Sequence, residues 1–174
     1  MKRVILVIAA MAVMAPAAFA AGGDQAPSPA KACNTELSAI GAANFKLLYA
    51  PGGSGANAMG KCVSKHAKLA AAARTNAAKT CATEQAMTEA DFRAAHDGKS
   101  FAELYGQNKN DKNAFGKCVS AKAHAATLAR EAAMLKAAKA CKAERAADRT
   151  AFTAKYGGKA SAFGKCVSGK SKNQ

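Results

Sequence analysis

The sequence predicts an all-α fold of three disulfide-stapled helical units joined by long shared helices. Three observations lead there. First, one set of blocks recurs three times in the same order. Each recurrence opens with Lys-x-Cys-x-x-Glu (Lys31/Cys33/Glu36, Lys79/Cys81/Glu84, Lys139/Cys141/Glu144). Each continues to Phe-x-x-x-Tyr (Phe45/Tyr49, Phe101/Tyr105, Phe152/Tyr156) and closes with Ala-(Met/Phe)-Gly-Lys-Cys-Val-Ser at residues 58–64, 114–120 and 162–168. Ordered repetition of this kind marks one supersecondary unit used repeatedly. Second, alanine and lysine, both strong helix formers, dominate, and β-branched runs are missing beyond the first twenty residues. Third, the six cysteines fall two to a recurrence.

Composition explains why bridges are needed. Of 174 residues, 48 are alanine, and beyond residue 20 only 23 of 154 are Val, Ile, Leu, Met, Phe or Tyr. A charged chain with so few core formers cannot bury enough apolar area to fold unaided. A large enzyme core, several domains and multiple membrane spans are excluded. The chain opens Met1-Lys2-Arg3, runs apolar over residues 4–18 and reaches Ala18-Phe19-Ala20 before Ala21. A basic start, a short apolar run and a small-x-small exit describe a secretory signal peptide over residues 1–20. Pro16 interrupts the run, which is short for a span of ~20 residues, so cleavage is expected and not anchoring. Nothing later is apolar enough to cross a bilayer. An even cysteine count in a small exported chain then points to disulfides and to a place outside the cytoplasmic membrane, secreted or in the envelope.

The elements follow in order. Residues 21–30, with two glycines and two prolines, read as a disordered lead-in. The units are expected at residues 31–68, 79–122 and 139–170, with a tail at 171–174. Ser100 with Glu103 forms a capping box; Thr88 and Asp148 precede Phe92 and Phe152 by four; Asn57, Asn113 and Ser161 stand where the closing helices begin. Gly98, Gly106 and the Gly157-Gly158 pair mark stops. Between units no breaker appears, so residues 61–87 and 117–147 each read as one continuous helix. On the second, Ala121, Ala125, Leu128, Ala132, Leu135 and Ala138 form an apolar seam, and Lys122, Arg130, Lys136, Lys139 and Lys142 are assigned to the other face.

These long helices prune the disulfide map. Cys62 and Cys81 are 19 residues apart on one helix, about 28 Å, and Cys118 and Cys141 are 23 apart, about 34 Å. A bridge needs Cα atoms within about 7 Å, so neither pair closes. The pairing that follows the recurrence is Cys33–Cys62, Cys81–Cys118 and Cys141–Cys166.

Other motifs receive plainer readings. The recurring Gly60, Gly116 and Gly164 are expected to admit a closely packed partner helix. Glu36, Glu84 and Glu144 either meet Lys61, Lys117 and Lys165 across the bridged helices or stay solvated. The Phe-x-x-x-Tyr rings are assigned to the core in preference to a stacking platform for bases or sugars. No metal site or cofactor is expected: there is no Cys-x-x-Cys, His66 and His124 follow their cysteines at different spacings, and the third recurrence has no histidine. Residues 108–113 read as a polar turn, because lysines interrupt the calcium-loop pattern. No nucleophile elbow, phosphate loop or dinucleotide fingerprint is present. An enzyme would need a concave pocket gathering His66, His96 or His124 with a carboxylate.

Charge supplies the remaining clue. The chain carries +15 formally; residues 37–83 hold six bases and no acid, residues 84–111 six acids and three bases, and residues 112–174 fourteen bases and three acids. Such a field attracts anionic polymers: acidic polysaccharide, nucleic acid or anionic lipid at a membrane surface. Lysine outweighs arginine, which favours diffuse attraction over bidentate reading of bases or phosphates. The expected function is a non-enzymatic scaffold that holds acidic polymers, with Lys122, Arg130, Lys136, Lys139 and Lys142 as binding residues. A nucleic-acid-binding protein is the first alternative and a small secreted enzyme the second. The Ala-Phe-Gly-Lys-Cys-Val-Ser blocks and the Phe-x-x-x-Tyr-Gly segment resemble uncharacterised secreted bacterial proteins built from this repeat. The resemblance spans most of residues 31–170, implies export and carries no activity.

Overall fold

The computed structural model describes residues 27–106, 112–158 and 160–172. The signal peptide expected at residues 1–20 lies outside the described residues, as do most of the lead-in and most of the polar turn. All regular structure among the described residues is helical: α1 (Pro29–Ile40), α2 (Ala42–Tyr49), α3 (Ala58–Gln85), α4 (Glu89–Ala95), α5 (Phe101–Tyr105), α6 (Ala114–Ala147), α7 (Arg149–Tyr156) and α8 (Ala162–Lys172). No helix among them is long and apolar enough to cross a membrane.

Local chemistry sets the boundaries. Ser28 caps α1 by accepting from the Lys31 backbone N–H, and Pro29 occupies the first turn, where its missing donor costs nothing. α1 therefore begins at Pro29, two residues inside the stretch assigned to the lead-in. Residues 171 and 172, assigned to a tail, continue α8, and Ser171 is buried. Thr88 and Asp148 cap α4 and α7, and the Ser100–Glu103 capping box is complete in both directions. Asn57 precedes α3 with φ of 66° and makes no side-chain cap bond, so its role is to turn the chain.

Cysteines do the joining. Cys33–Cys62 ties α1 to α3, Cys81–Cys118 ties α3 to α6, and Cys141–Cys166 ties α6 to α8, with Cα separations of 5.9, 6.1 and 6.0 Å. The long helices α3 and α6 pack antiparallel. His66 faces Glu131 near one end and Cys81 bonds Cys118 near the other, so residue numbers rise along one helix as they fall along its partner. At the first end α1, α2, α7 and α8 gather, and the main core lies there: Ile40, Phe45, Tyr49, Phe152, Phe163 and Val167 around two of the disulfides. Ala137 and Ala138 of α6 are fully buried within it, which brings backbones close. The opposite end holds Cys81–Cys118 with α4 and α5, and its cysteines lie outside that core.

Two expectations are corrected. The buried line of α6 runs through Ala123, Thr127, Met134, Ala138 and Cys141, while Leu128 is 41% exposed. Of the expected seam, Ala138 is buried and Ala121, Ala125 and Leu135 are partly covered, but Leu128 and Ala132 are exposed, because Cys118 and Cys141 point about 140° apart around a 3.6-residue helix and the covered face must rotate. The recurring glycines do not admit a partner helix. A Cβ on Gly60, Gly116 or Gly164 would meet nothing within 4 Å.

The bridges close separations of 29, 37 and 25 residues, each worth about 3.5–4 kcal/mol on the chain-entropy model. Their loss is expected to read differently by location. C81A/C118A should raise amide exchange chiefly in α4, α5 and the adjoining ends of α3 and α6. C141A/C166A should raise it across the core helices and lower the denaturant midpoint of the whole chain. Uniform exchange changes in both variants would show that the two ends do not open separately.

Candidate functional site

Beside each disulfide the same polar contact recurs. The Glu three residues after the opening cysteine accepts a hydrogen bond from the tyrosine of Phe-x-x-x-Tyr: Tyr49 to Glu36, Tyr105 to Glu84 (3.2 Å), and Tyr156 to Glu144 (3.1 Å). The same Glu meets a base four residues after the closing cysteine: His66 Nε2 to Glu36 (3.1 Å), Lys122 to Glu84 (2.8 Å) and Lys170 to Glu144 (3.3 Å). Bridge formation creates this geometry. The disulfide sets two helices side by side, and one turn on from each cysteine the acid and the base face each other.

These bases are not the ones the motif spacing singled out. Lys61, Lys117 and Lys165 precede the closing cysteines and point away; Lys165 donates to the Gly157 carbonyl. Reading position four after each closing cysteine as one column, His66/Lys122/Lys170, would have found the partners. The histidine looked irregular only because the column mixes His with Lys.

The first cluster is the most enclosed and the most elaborate. His66 is 2% exposed and Glu36 3%. Glu36 on α1 receives the Tyr49 hydroxyl of α2 and His66 Nε2 of α3. The other ring nitrogen, Nδ1, lies 3.4 Å from Glu131 Oε1 on α6, in ion-pair range without hydrogen-bond alignment. Four helices therefore meet on one imidazole. The hydrogen bond to Glu36 is the main cause of a raised His66 pKa; burial opposes it and the charges of both carboxylates add to it. Burial and the bond to Glu36 push the Tyr49 hydroxyl far above its ordinary range, so it stays a neutral donor. At the second cluster burial pulls the Lys122 ammonium down, but Glu84 and Tyr105 outweigh it and its pKa rises. At the third, hydrogen bonding to Lys155 leads the causes that hold Glu144 below the usual carboxylate range.

Chemically, this enclosed His–carboxylate group is an ion pair whenever the imidazole is protonated, with Glu36 and Glu131 on its two nitrogens. The open cleft of about 740 Å³ lies along Asn57, Gly60, Lys61, Ser64, Lys65 and Lys68 of α3, on the opposite side of the helix from His66. His96 stacks on Phe92, with ring centroids 4.1 Å apart. Cys33, Cys62 and His66 place ligand-type atoms within 4.8 Å of one another, but both sulfurs are used in the disulfide and have no lone thiolate to offer.

The five cations assigned to binding are separated by the fold. Lys122 is held by Glu84 and lies 5.9 Å from the Tyr105 ring centroid. Lys142 donates to the Ala39 carbonyl at the end of α1 (3.1 Å), favourable for a cation at a helix C-terminus. Arg130, Lys136 and Lys139 are exposed. Around α6 the five span an arc of about 240°, so they form no single stripe. The Phe-x-x-x-Tyr rings pack inward: Phe45, Tyr49 and Phe152 are buried, and each Phe–Tyr pair sits at 4.8–5.0 Å between centroids.

Two outcomes are expected. Y49F should cost about 1.5–3 kcal/mol, as loss of a buried hydrogen bond to a charged group, whereas Y156F at the more open cluster should cost less than about 1 kcal/mol. Urea midpoints of both variants check the contrast. Because folding raises the His66 pKa above 6.5, its contribution to stability is complete below about pH 6.5. That contribution is lost as pH rises through the higher folded-state pKa. Melting between pH 6 and 9 should show a decline that H66Q largely removes; an equal decline in H66Q would place the titrating group elsewhere.

No protein-family model, curated protein or solved structure matches the chain.

Proposed function

We propose that the protein is a non-enzymatic exported scaffold, built of three disulfide-stapled repeat units that share long helices, which holds acidic polymers of the envelope or exterior on lysine-rich surfaces. Export is supported by the leader-like start and by three disulfides, which persist in oxidising compartments. The resemblance of the recurring blocks to secreted bacterial proteins agrees with it.

One observation carries the binding reading: most of the described acids pair with a base or cap a helix, with Asp97 left exposed, while many amines face water without any of these acids beside them. Glu36, Glu84, Glu131 and Glu144 turn toward partners between helices, Glu89 and Glu103 both hold Arg93, and Asp148 caps α7. Lys31, Lys61, Lys68, Lys117, Lys136 and Lys139 are exposed. The outward field is therefore more positive than composition alone implies, and it favours anionic polymers at short range. Catalysis is disfavoured by the enclosure of His66, which is 2% exposed. Nucleic-acid binding is the second reading, and the inward packing of the paired rings takes base-stacking surfaces away from it.

Competition distinguishes the partners. A carboxylated polysaccharide bound at low salt should be released by salt, and duplex DNA at equal charge should displace it poorly. Efficient displacement by DNA would favour the nucleic-acid reading. Absence of binding to either polymer at 20 mM salt would remove the scaffold proposal.

A further inference from the structure

The outer face of α3 departs from the other closing helices. Asn57, Gly60, Lys61, Ser64, Lys65 and Lys68 follow at steps of three, one, three, one and three, which keeps them on one side of a 3.6-residue helix. They line the open cleft of about 740 Å³. Measured around the axis, the lysines lie about 100–160° from His66, so the inner face of α3 is neutralised by Glu36 and Glu131 while the outer face is not. No carboxylate lines the cleft.

This set belongs to the first copy alone. Lys61 recurs as Lys117 and Lys165, but Lys65 is replaced by Ala121 and Gly169, and Lys68 by His124 in the second copy. Gly60 leaves the cleft floor open, since a Cβ there meets nothing within 4 Å. Ser64 and Asn57 add neutral donors and acceptors, and Leu69 adds an apolar edge suited to the carbon face of a sugar ring. The Lys65 ammonium lies 5.5 Å from the Tyr49 ring centroid. Loss of solvent is the main cause that lowers its pKa; the charge of Glu36 opposes it and that of Arg130 on α6 adds to it.

We propose that this cleft is a specific binding site for a short segment of carboxylated polysaccharide, with Lys61, Lys65 and Lys68 each meeting one uronate carboxylate and Ser64 and Asn57 meeting ring hydroxyls. The proposal rests on the scaffold reading and narrows it to one place and one ligand chemistry. Along the helix axis Lys61 and Lys65 are about 6 Å apart and Lys65 and Lys68 about 4.5 Å. That charge spacing is sparser than the phosphates of nucleic acid, at about one per 3.4 Å of a strand. The cleft has no arginine fork for phosphate and no exposed aromatic face for bases.

The test uses the oxidised chain from Ala21 onward and polygalacturonate oligomers, read by calorimetry or fluorescence anisotropy at 20 and 150 mM salt. K61Q/K65Q/K68Q should weaken binding roughly tenfold or more, while K79Q/K99Q/K117Q, which removes equal charge from exposed positions away from the cleft, should weaken it no more than about threefold. Because Lys65 also touches Tyr49, G60E supplies a second probe. It places a carboxylate in open space and should abolish binding with unchanged helicity and melting, whereas G60A should bind normally. Equal losses in the two lysine triples, or normal binding by G60E, would overturn the cleft assignment and leave the scaffold reading standing. Tighter binding of a DNA oligomer of equal charge at the cleft would overturn the glycan assignment. No binding of polygalacturonate by the wild type at either salt would overturn both.

Discussion

Helix proximity in this molecule is set covalently, and the other contacts follow from it. Large apolar side chains are too few to force the eight described helices together, and alanine contributes little area when buried. Six cysteines with no solvent exposure perform that task at three points. Cys81–Cys118 fixes one point of contact between the two longest helices, and Cys33–Cys62 sets α1 beside α3. Glu36, placed by the α1 bridge, and Glu131, placed by the antiparallel packing of α6, nearly a hundred residues apart, then reach the same imidazole.

Once proximity is imposed, burial of polar groups becomes the next constraint. A carboxylate placed beside a disulfide between two helices must be satisfied, and three different enclosures receive graded solutions. At the open Glu144 two lysines and Tyr156 suffice. At Glu84 one lysine and a tyrosine do so. The deepest, Glu36, is matched by an imidazole, which carries less hydration than an ammonium and has a second nitrogen for Glu131. Pairing acids with inward bases also leaves Lys61 and Lys68 without a carboxylate partner among the described residues, while Lys65 still feels the charge of Glu36. The internal solution and the external charge are therefore linked.

Much of this architecture was legible in the sequence because repetition and capping are local signals. Both long helices, the Ser100–Glu103 box and the N-caps at Thr88 and Asp148 could be read directly. The covered face of α6 could not, since alanines occur on every side of that helix and only the bridges decide which are buried. The glycine column was misread for a related reason: recurrence in sequence does not by itself give a packing role, which needs a neighbour that Gly60, Gly116 and Gly164 lack. The Tyr–Glu–base contacts were hidden because their partners lie 12 to 38 residues apart and the base changes type between copies.

The change of base type has a physical consequence for α3. A lysine at position 66 would need to carry a full ammonium into a site where only 2% of the residue meets water, at a higher desolvation cost than the delocalised imidazolium. Imidazole also joins two carboxylates from opposite sides, so α1 and α6 are both clamped to the inner face of α3 at one residue. A helix fixed in rotation on its inner face presents its outer side chains in fixed directions. Lys61, Lys65 and Lys68 project from that outer face within seven residues of the clamp and of Cys62. Their heads remain mobile, but their helix does not turn. For the proposed ligand, that would reduce the ordering cost of gathering three like charges, because the His66 clamp and Cys62 lie directly behind the basic surface.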